Sequence, residues 1–128
     1  MIRQGDVYRV TFAGSRGSEP WGKRPAVVVQ HDRFNQSRIN TVVVAAITSN
    51  LRYDSLPGNV RLRKGEANLA KPCVVNVTQL HSIHRTYLGE KIGSLSHGKR
   101  REAGEGDERK HRPSFFLQIL EPAGHARV

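Results

Sequence analysis

Cysteine occurs once, at Cys73, so no intramolecular disulfide is available to this chain and nothing in it calls for an oxidising compartment. Long apolar runs are missing as well. VVVAAI at 42–47 and AVVV at 26–29 are the longest, far short of the roughly 20 residues that span a bilayer. The opening MIRQGDVY lacks the apolar stretch of a signal peptide, which predicts a cytoplasmic, non-membrane protein. Metal-ligating patterns are also lacking: the six histidines are scattered, and neither H-x-x-x-H nor C-x-x-C occurs. There is no glycine-rich phosphate loop and no G-x-S-x-G elbow, and the carboxylates are dispersed. No metal and no cofactor is therefore expected. Any chemistry on a polyanion would rely on cationic donors to stabilise a pentavalent phosphorane.

Acidic residues are the other scarcity. Eleven Asp and Glu face twenty-one Lys and Arg, a formal charge of +10 on 128 residues. Residues 1–96 hold fourteen basic and six acidic side chains, whereas 97–128 hold seven and five. The excess thus belongs to the part with a folding pattern, and it points to a polyanionic partner, a nucleic acid or an acidic protein.

What is present reads as short strands separated by turn residues. Tyr8, Val10 and Phe12 alternate with polar residues after a Gly5-Asp6 turn. PAVVVQ at 25–30, TVVVAAIT at 41–48 and CVVNVTQL at 73–80 are β-rich apolar runs, and NVRLR at 59–63 alternates after a Pro57-Gly58 turn. Residues 13–24 are read as a loop, 32–38 as one helical turn with Asp32 as N-cap, and 86–96 as a turn followed by a last strand. The predicted fold is mainly β with small helices, a barrel or strongly curved sheet, in one domain over 1–96. Residues 97–128 carry glycines among charges and no helical apolar stripe, and are read as a divergent, flexible segment, with FFLQIL at 115–120 as its one apolar patch.

The candidate site residues lie where apolar runs meet loops. Arg24 precedes a buried run and offers a fork of donors suited to two phosphate oxygens; alternatively it pairs with Asp6 or Glu19. Thr48 ends the 41–48 strand at a rim, followed by Ser49 and Asn50; alternatively its hydroxyl bonds its own turn. Trp21, with Glu19 and Lys23 beside it, offers a surface on which an unpaired base could stack, or it packs. Gln79 and His81 follow the third apolar run, placed to read a base or assist a proton transfer, or simply to face solvent.

Together the segments GDVY, GSEPWGKRPAVVVQHDRFN, TVVVAAITSNLR, LPGNVRL, VVNVTQLHSI and LGEKIGSLS resemble the MazF/PemK family of toxin endoribonucleases over about 1–96. The specific part is GSE–x4–RPAVVV, with A-x-I-T some twenty residues later. The resemblance implies an SH3-like barrel, a homodimer, and a cognate acidic antitoxin lying over the basic groove. It implies sequence-selective cleavage of single-stranded RNA (mRNA) without metal, through attack of the 2′-OH to leave 2′,3′-cyclic phosphate and 5′-OH ends. The resemblance makes Arg24 and Thr48 the catalytic pair, and puts Glu19, Trp21, Lys23, Ser49, Asn50, Gln79 and His81 along the RNA. Two residues depart from relatives: Thr78 stands where some carry an acid, and His81 where many carry Arg or Lys. The family also ends in an amphipathic helix, and the compositional break at 97 fits a frameshift that replaced it. The rival readings are a catalytically silent SH3-like module binding nucleic acid or antitoxin, and a CcdB-like poison of a protein target.

Overall fold

The computed structural model describes residues 1–13 and 21–95. Six strands, β1 (Asp6–Ala13), β2 (Trp21–Val28), β3 (Thr41–Thr48), β4 (Val60–Leu62), β5 (Cys73–His84) and β6 (Leu88–Ser94), form one sheet in the order β4-β5-β3-β2-β1-β6. Every neighbouring pair is antiparallel. One α-helical turn, α1 (Asp32–Asn35), and three short 3-10 helices complete the described residues. The expectation of a mainly β fold with small helices holds.

The sheet curls because both faces of its middle strands are apolar and each must be covered. Along β3, Ala45 and Ile47 point one way, while Val42, Val44 and Ala46 point the other, which is why the run is continuous rather than alternating. The first face packs with Val7, Val27, Val60, Leu62, Val75, Val77, Leu69 and Leu95, closing a half-barrel core. The second face packs Val10, Phe12, Ala26 and Val28 with Ile2, Tyr8, Ile83 and Leu88. Each fully buried valine or leucine contributes about 1.5–3 kcal/mol. The two sheet edges approach through the 3-10 helix Glu66–Asn68, which follows β4 and packs on β6. Asn68 Nδ2 donates to Ile92 O at 2.9 Å. A Cβ on Gly93 would meet Ala67 O at 2.5 Å, so a side chain there has no room.

Several boundaries differ from those read in the sequence. β2 begins at Trp21, not Pro25, because Trp21–Pro25 pair with Ala13–Arg9 of β1. β3 covers β2 only from Ala26 to Val28, so Pro25 lies outside that ladder and its missing N–H costs no bond to β3. β5 continues to His84 because it pairs with β3 back to Thr41. The N-cap of α1 is His31, whose Nδ1 accepts from Arg33 N at 3.0 Å. The Asp32 carboxylate is taken instead by Gln4 N (2.7 Å) and Asn35 Nδ2 (3.0 Å). The segment 97–128, with FFLQIL, and residue Glu19 lie outside the described residues.

Candidate active site

The register of the sheet determines which side chains can meet. Ala26 of β2 faces Ala46 of β3, which faces Asn76 of β5. Two residues further along, Arg24 and Thr48 fall on the same line across β2 and β3, but the ladder stops at Ala26–Ala46 and the strands part. Both side chains line one open groove of about 580 Å³ at this end of the sheet. The groove is floored by Pro25, Ala46 and Ile47, and Ser49, Tyr53, Asn76 and Gln79 border it together with Thr48. Asn68, Leu69, Ala70 and Lys71 form the wall that follows β4. Its described lining includes four cations, Arg9, Lys23, Arg24 and Lys71, and no carboxylate.

Arg24 stands exposed at the end of the β2 ladder. Its Nε donates to Trp21 O at 2.9 Å, and its guanidinium carbon lies 5.2 Å from the Trp21 ring centroid. Both contacts restrict the guanidinium while engaging only one of its donors in a hydrogen bond, so the rest of the fork stays available. Among the described residues Arg24 has no ion pair. Asp6, one of its possible partners, is buried and accepts from Arg3 N and Ser94 Oγ at 3.0 and 2.8 Å, with Lys91 Nζ at 3.4 Å. Trp21 itself is 62% exposed, which no core role explains.

Thr48 Oγ1 accepts from Asn50 N at 3.1 Å, so the turn reading of this residue is correct as far as it goes. That bond uses an acceptor lone pair and leaves the O–H free to donate into the groove. Asn50 is committed elsewhere: its Oδ1 caps the 3-10 helix Leu51–Ser55 by accepting from Arg52 N at 3.1 Å, and it does not line the groove. His81 also lies away from it. The ring packs edge-on against Phe12, with centroids 5.1 Å apart, opposite Val44 on the second apolar face. Its Nε2 is buried and has no hydrogen-bond partner among the described residues. Trp21, Lys23, Ser49 and Gln79 are brought together with Arg24 and Thr48; Asn50 and His81 are not.

The sequence reading missed Lys71, Arg9, Tyr53 and Asn76 as groove residues. Asn76 carried a usable signal, being a polar residue inside the apolar run CVVNV. Cys73 also lines the groove; burial pushes its thiol up, the nearby Lys71 charge opposing in part, and Sγ donates to Lys71 O at 3.3 Å. It is therefore a packing residue and not an activated nucleophile. Among the described residues no three His, Cys, Asp or Glu side chains gather as metal ligands, and no helix is long and apolar enough to cross a membrane.

A curled antiparallel sheet with a cationic groove across the open end of its middle strands defines a small β protein suited to a polyanionic ligand. The chain matches the family model of the PemK-like, MazF-like toxins of type II toxin–antitoxin systems over residues 3–113, and it belongs to that family. The match continues past residue 96. Endoribonuclease MazF2 of Mycobacterium bovis is 34% identical over 106 residues, covering 83% of this chain and 93% of that protein. Endoribonuclease MazF6 of Mycobacterium tuberculosis matches at the same identity and coverage. Among solved structures, the Mycobacterium tuberculosis toxin MazF-mt6 has the same fold with a TM-score of 0.63 and 20% identity, covering 83% of this chain and 95% of that one. A mycobacterial endoribonuclease solved with its cognate antitoxin aligns with a TM-score of 0.57 and 17% identity, over 77% and 80% of the two chains.

Proposed function

We propose that the protein is the endoribonuclease toxin of a type II toxin–antitoxin pair, cutting single-stranded RNA in the groove that joins Arg24 and Thr48. The observation that carries this reading is the convergence of those two side chains in a groove whose described lining is cationic and free of carboxylate. Such a surface attracts a phosphate backbone. Relatives at 34% identity named as endoribonucleases support the reaction class.

The reaction is a transesterification within the substrate. The 2′-oxygen forms a bond to the adjacent phosphorus and loses its proton, the P–O5′ bond breaks, and the leaving 5′-oxygen takes up a proton. The products carry a 2′,3′-cyclic phosphate and a 5′-OH. Charge develops on the phosphoryl oxygens and on the leaving oxygen. Arg24 acts as an electrostatic stabiliser of the phosphoryl oxygens and as a hydrogen-bond donor to the leaving oxygen, while solvent takes the proton from O2′ and returns one to O5′. Thr48 donates its hydroxyl hydrogen to a phosphoryl oxygen. Lys23 steers, Trp21 stacks an unpaired base, and Ser49 and Gln79 border the flanking nucleotides. No step in this scheme needs a metal ion.

Two partners follow from the same groove. An acidic, extended antitoxin segment would neutralise its four described cations and block RNA, and one solved structural relative is described in complex with its cognate antitoxin. The protein acts as a homodimer in this reading, which sedimentation of the purified toxin would test. The deciding experiment is incubation with single-stranded RNA in EDTA, followed by analysis of the new ends. Cyclic phosphate and 5′-OH termini are expected. Intact RNA, or 3′-OH products, would reject the reading, and RNA bound but uncut would favour a silent binding module.

A further inference from the structure

Between β3 and β5 the ladder breaks once. Adjacent residues Ala46 and Ala45 of β3 face Asn76 and Leu80 of β5, so Val77, Thr78 and Gln79 form a bulge between these two register positions. A bulge of this kind bends its strand and re-aims a side chain. Here the re-aimed side chain is Gln79, which borders the groove beside the Arg24–Thr48 line.

Backbone N–H groups that leave a ladder need other acceptors, and two asparagines supply them. Asn76 is only 1% exposed, an amide set in a row of alanines and valines, where burial is costly without hydrogen bonds. Its Oδ1 accepts from Thr78 N at 3.1 Å, Thr78 Oγ1 at 2.6 Å and Asn59 Nδ2 at 3.2 Å. Asn59, in the turn before β4, accepts from Val77 N through Oδ1 at 2.9 Å and donates through Nδ2 to Tyr53 O at 2.9 Å. Because Asn76 Oδ1 meets only donors, the orientation of that amide is fixed. The first two amides of the bulge are thus held by side chains in place of β3, and Asn59 does this from outside the groove lining. A ladder with its regular bonds would need neither residue.

We propose that Asn59 and Asn76 form a clasp that sets the aim of Gln79, making them positioning residues for base preference at the cut; this rests on the reading of the groove as an RNA-cleavage site. The test compares wild type, Asn59→Ala, Gln79→Ala and the double variant on an RNA pool with randomised flanks, with cut sites sequenced. Asn59→Ala should relax the same base position as Gln79→Ala, by about tenfold or more in the ratio of preferred to disfavoured cutting, as a misplacement near 1 Å can do. The double variant should relax it no further than Gln79→Ala alone, since coupled residues are non-additive. Amide hydrogen exchange should accelerate at Val77 and Thr78 in Asn59→Ala, while Val74 and Val75 stay protected. Unchanged base preference despite faster exchange, or additive effects in the double variant, would overturn the proposal. Should Asn59→Ala not fold, Thr78→Val removes one bond of the clasp from an exposed site, and Thr78→Ser should restore the preference; equal preference in all three would equally overturn it. If the wild type leaves RNA intact, the reading of the groove fails and the specificity claim with it, while the exchange pattern still judges the clasp.

Discussion

The same three strands are governed by different rules at their two ends. From Val42 to Ala46 of β3, apolar side chains alternate between two buried faces, and β2 supplies Ala26–Val28 beside them. There the register is enforced, because a slip by one residue would exchange the two apolar sets. At Ala26 and Ala46 the β2–β3 ladder ends, β5 bulges by three residues between the partners of Ala45 and Ala46, and the turn leading into the facing wall holds Ala67 and Asn68 at φ of 51° and 62°. Regular structure and site therefore meet at one line across the sheet. The difference teaches that Arg24 and Thr48, two residues past the last β2–β3 pair, stand on firm ground because β1 and β5 still pair with them.

The largest expected effect breaks the irregular end without touching the regular one. Arg24→Ala should lower the cleavage rate by about 10²–10³, the usual loss of one charged stabilising donor. Thr48→Ala should remove most cleavage as well; Arg24→Ala should keep the wild-type urea midpoint, and Thr48→Ala should lose no more than the about 1 kcal/mol of its turn bond from Asn50 N. A larger shift would mean that the pair belongs to the fold. The converse substitution, Leu62→Ala, empties a fully buried position of β4. It should cost about 2–5 kcal/mol in urea titration, while protein still folded keeps its cleavage rate per molecule. Lys71→Ala tests the wall facing Arg24. It should leave stability unchanged and reduce the salt slope of RNA binding by about one. Arg33→Ala, on α1 and outside the groove, should reduce it less.

The regular half was readable in the sequence and the irregular half only in part. β3 runs from Thr41 to Thr48 as its apolar run predicts, because two buried faces leave an unmistakable pattern. The motif positions Arg24 and Thr48 were legible because each borders such a run. The start of β2 was not, since Trp21–Arg24 pair with β1 alone and bury little, leaving no periodicity to read. The extension of β5 through HSIH was hidden for a similar reason, with alternating half-exposed residues after the bulge. His81 looked like a surface residue after a strand, yet the register sets it opposite Val44 and against Phe12. Asn50 stood next to Thr48 in sequence, but a helix cap claims its side chain. Long-range partners such as Asn59, seventeen residues before Asn76, have no local signature.

The smallest expected effect lies at the residue just before the wall. Ala67 occupies the left-handed region, at φ 51° and ψ 29°, where a Cβ costs about 1–2 kcal/mol. Glycine removes that cost but adds about 0.5–1 kcal/mol of unfolded-chain entropy. Ala67→Gly also gives up a methyl packed at the margin of the first core cluster. The terms nearly cancel, and the net should be a gain of a few tenths of a kcal/mol, seen as a slightly higher urea midpoint with an unchanged slope. Because the 3-10 helix that contains Ala67 joins the β4 side of the sheet to β6, the sign is informative. A loss above about 1 kcal/mol would mean that the methyl's packing against the core outweighs the strain of its backbone. The wall beside Lys71 would then be built by the same apolar burial as the middle of the sheet, and the contrast between the two ends would narrow to the bulge and the parted strands.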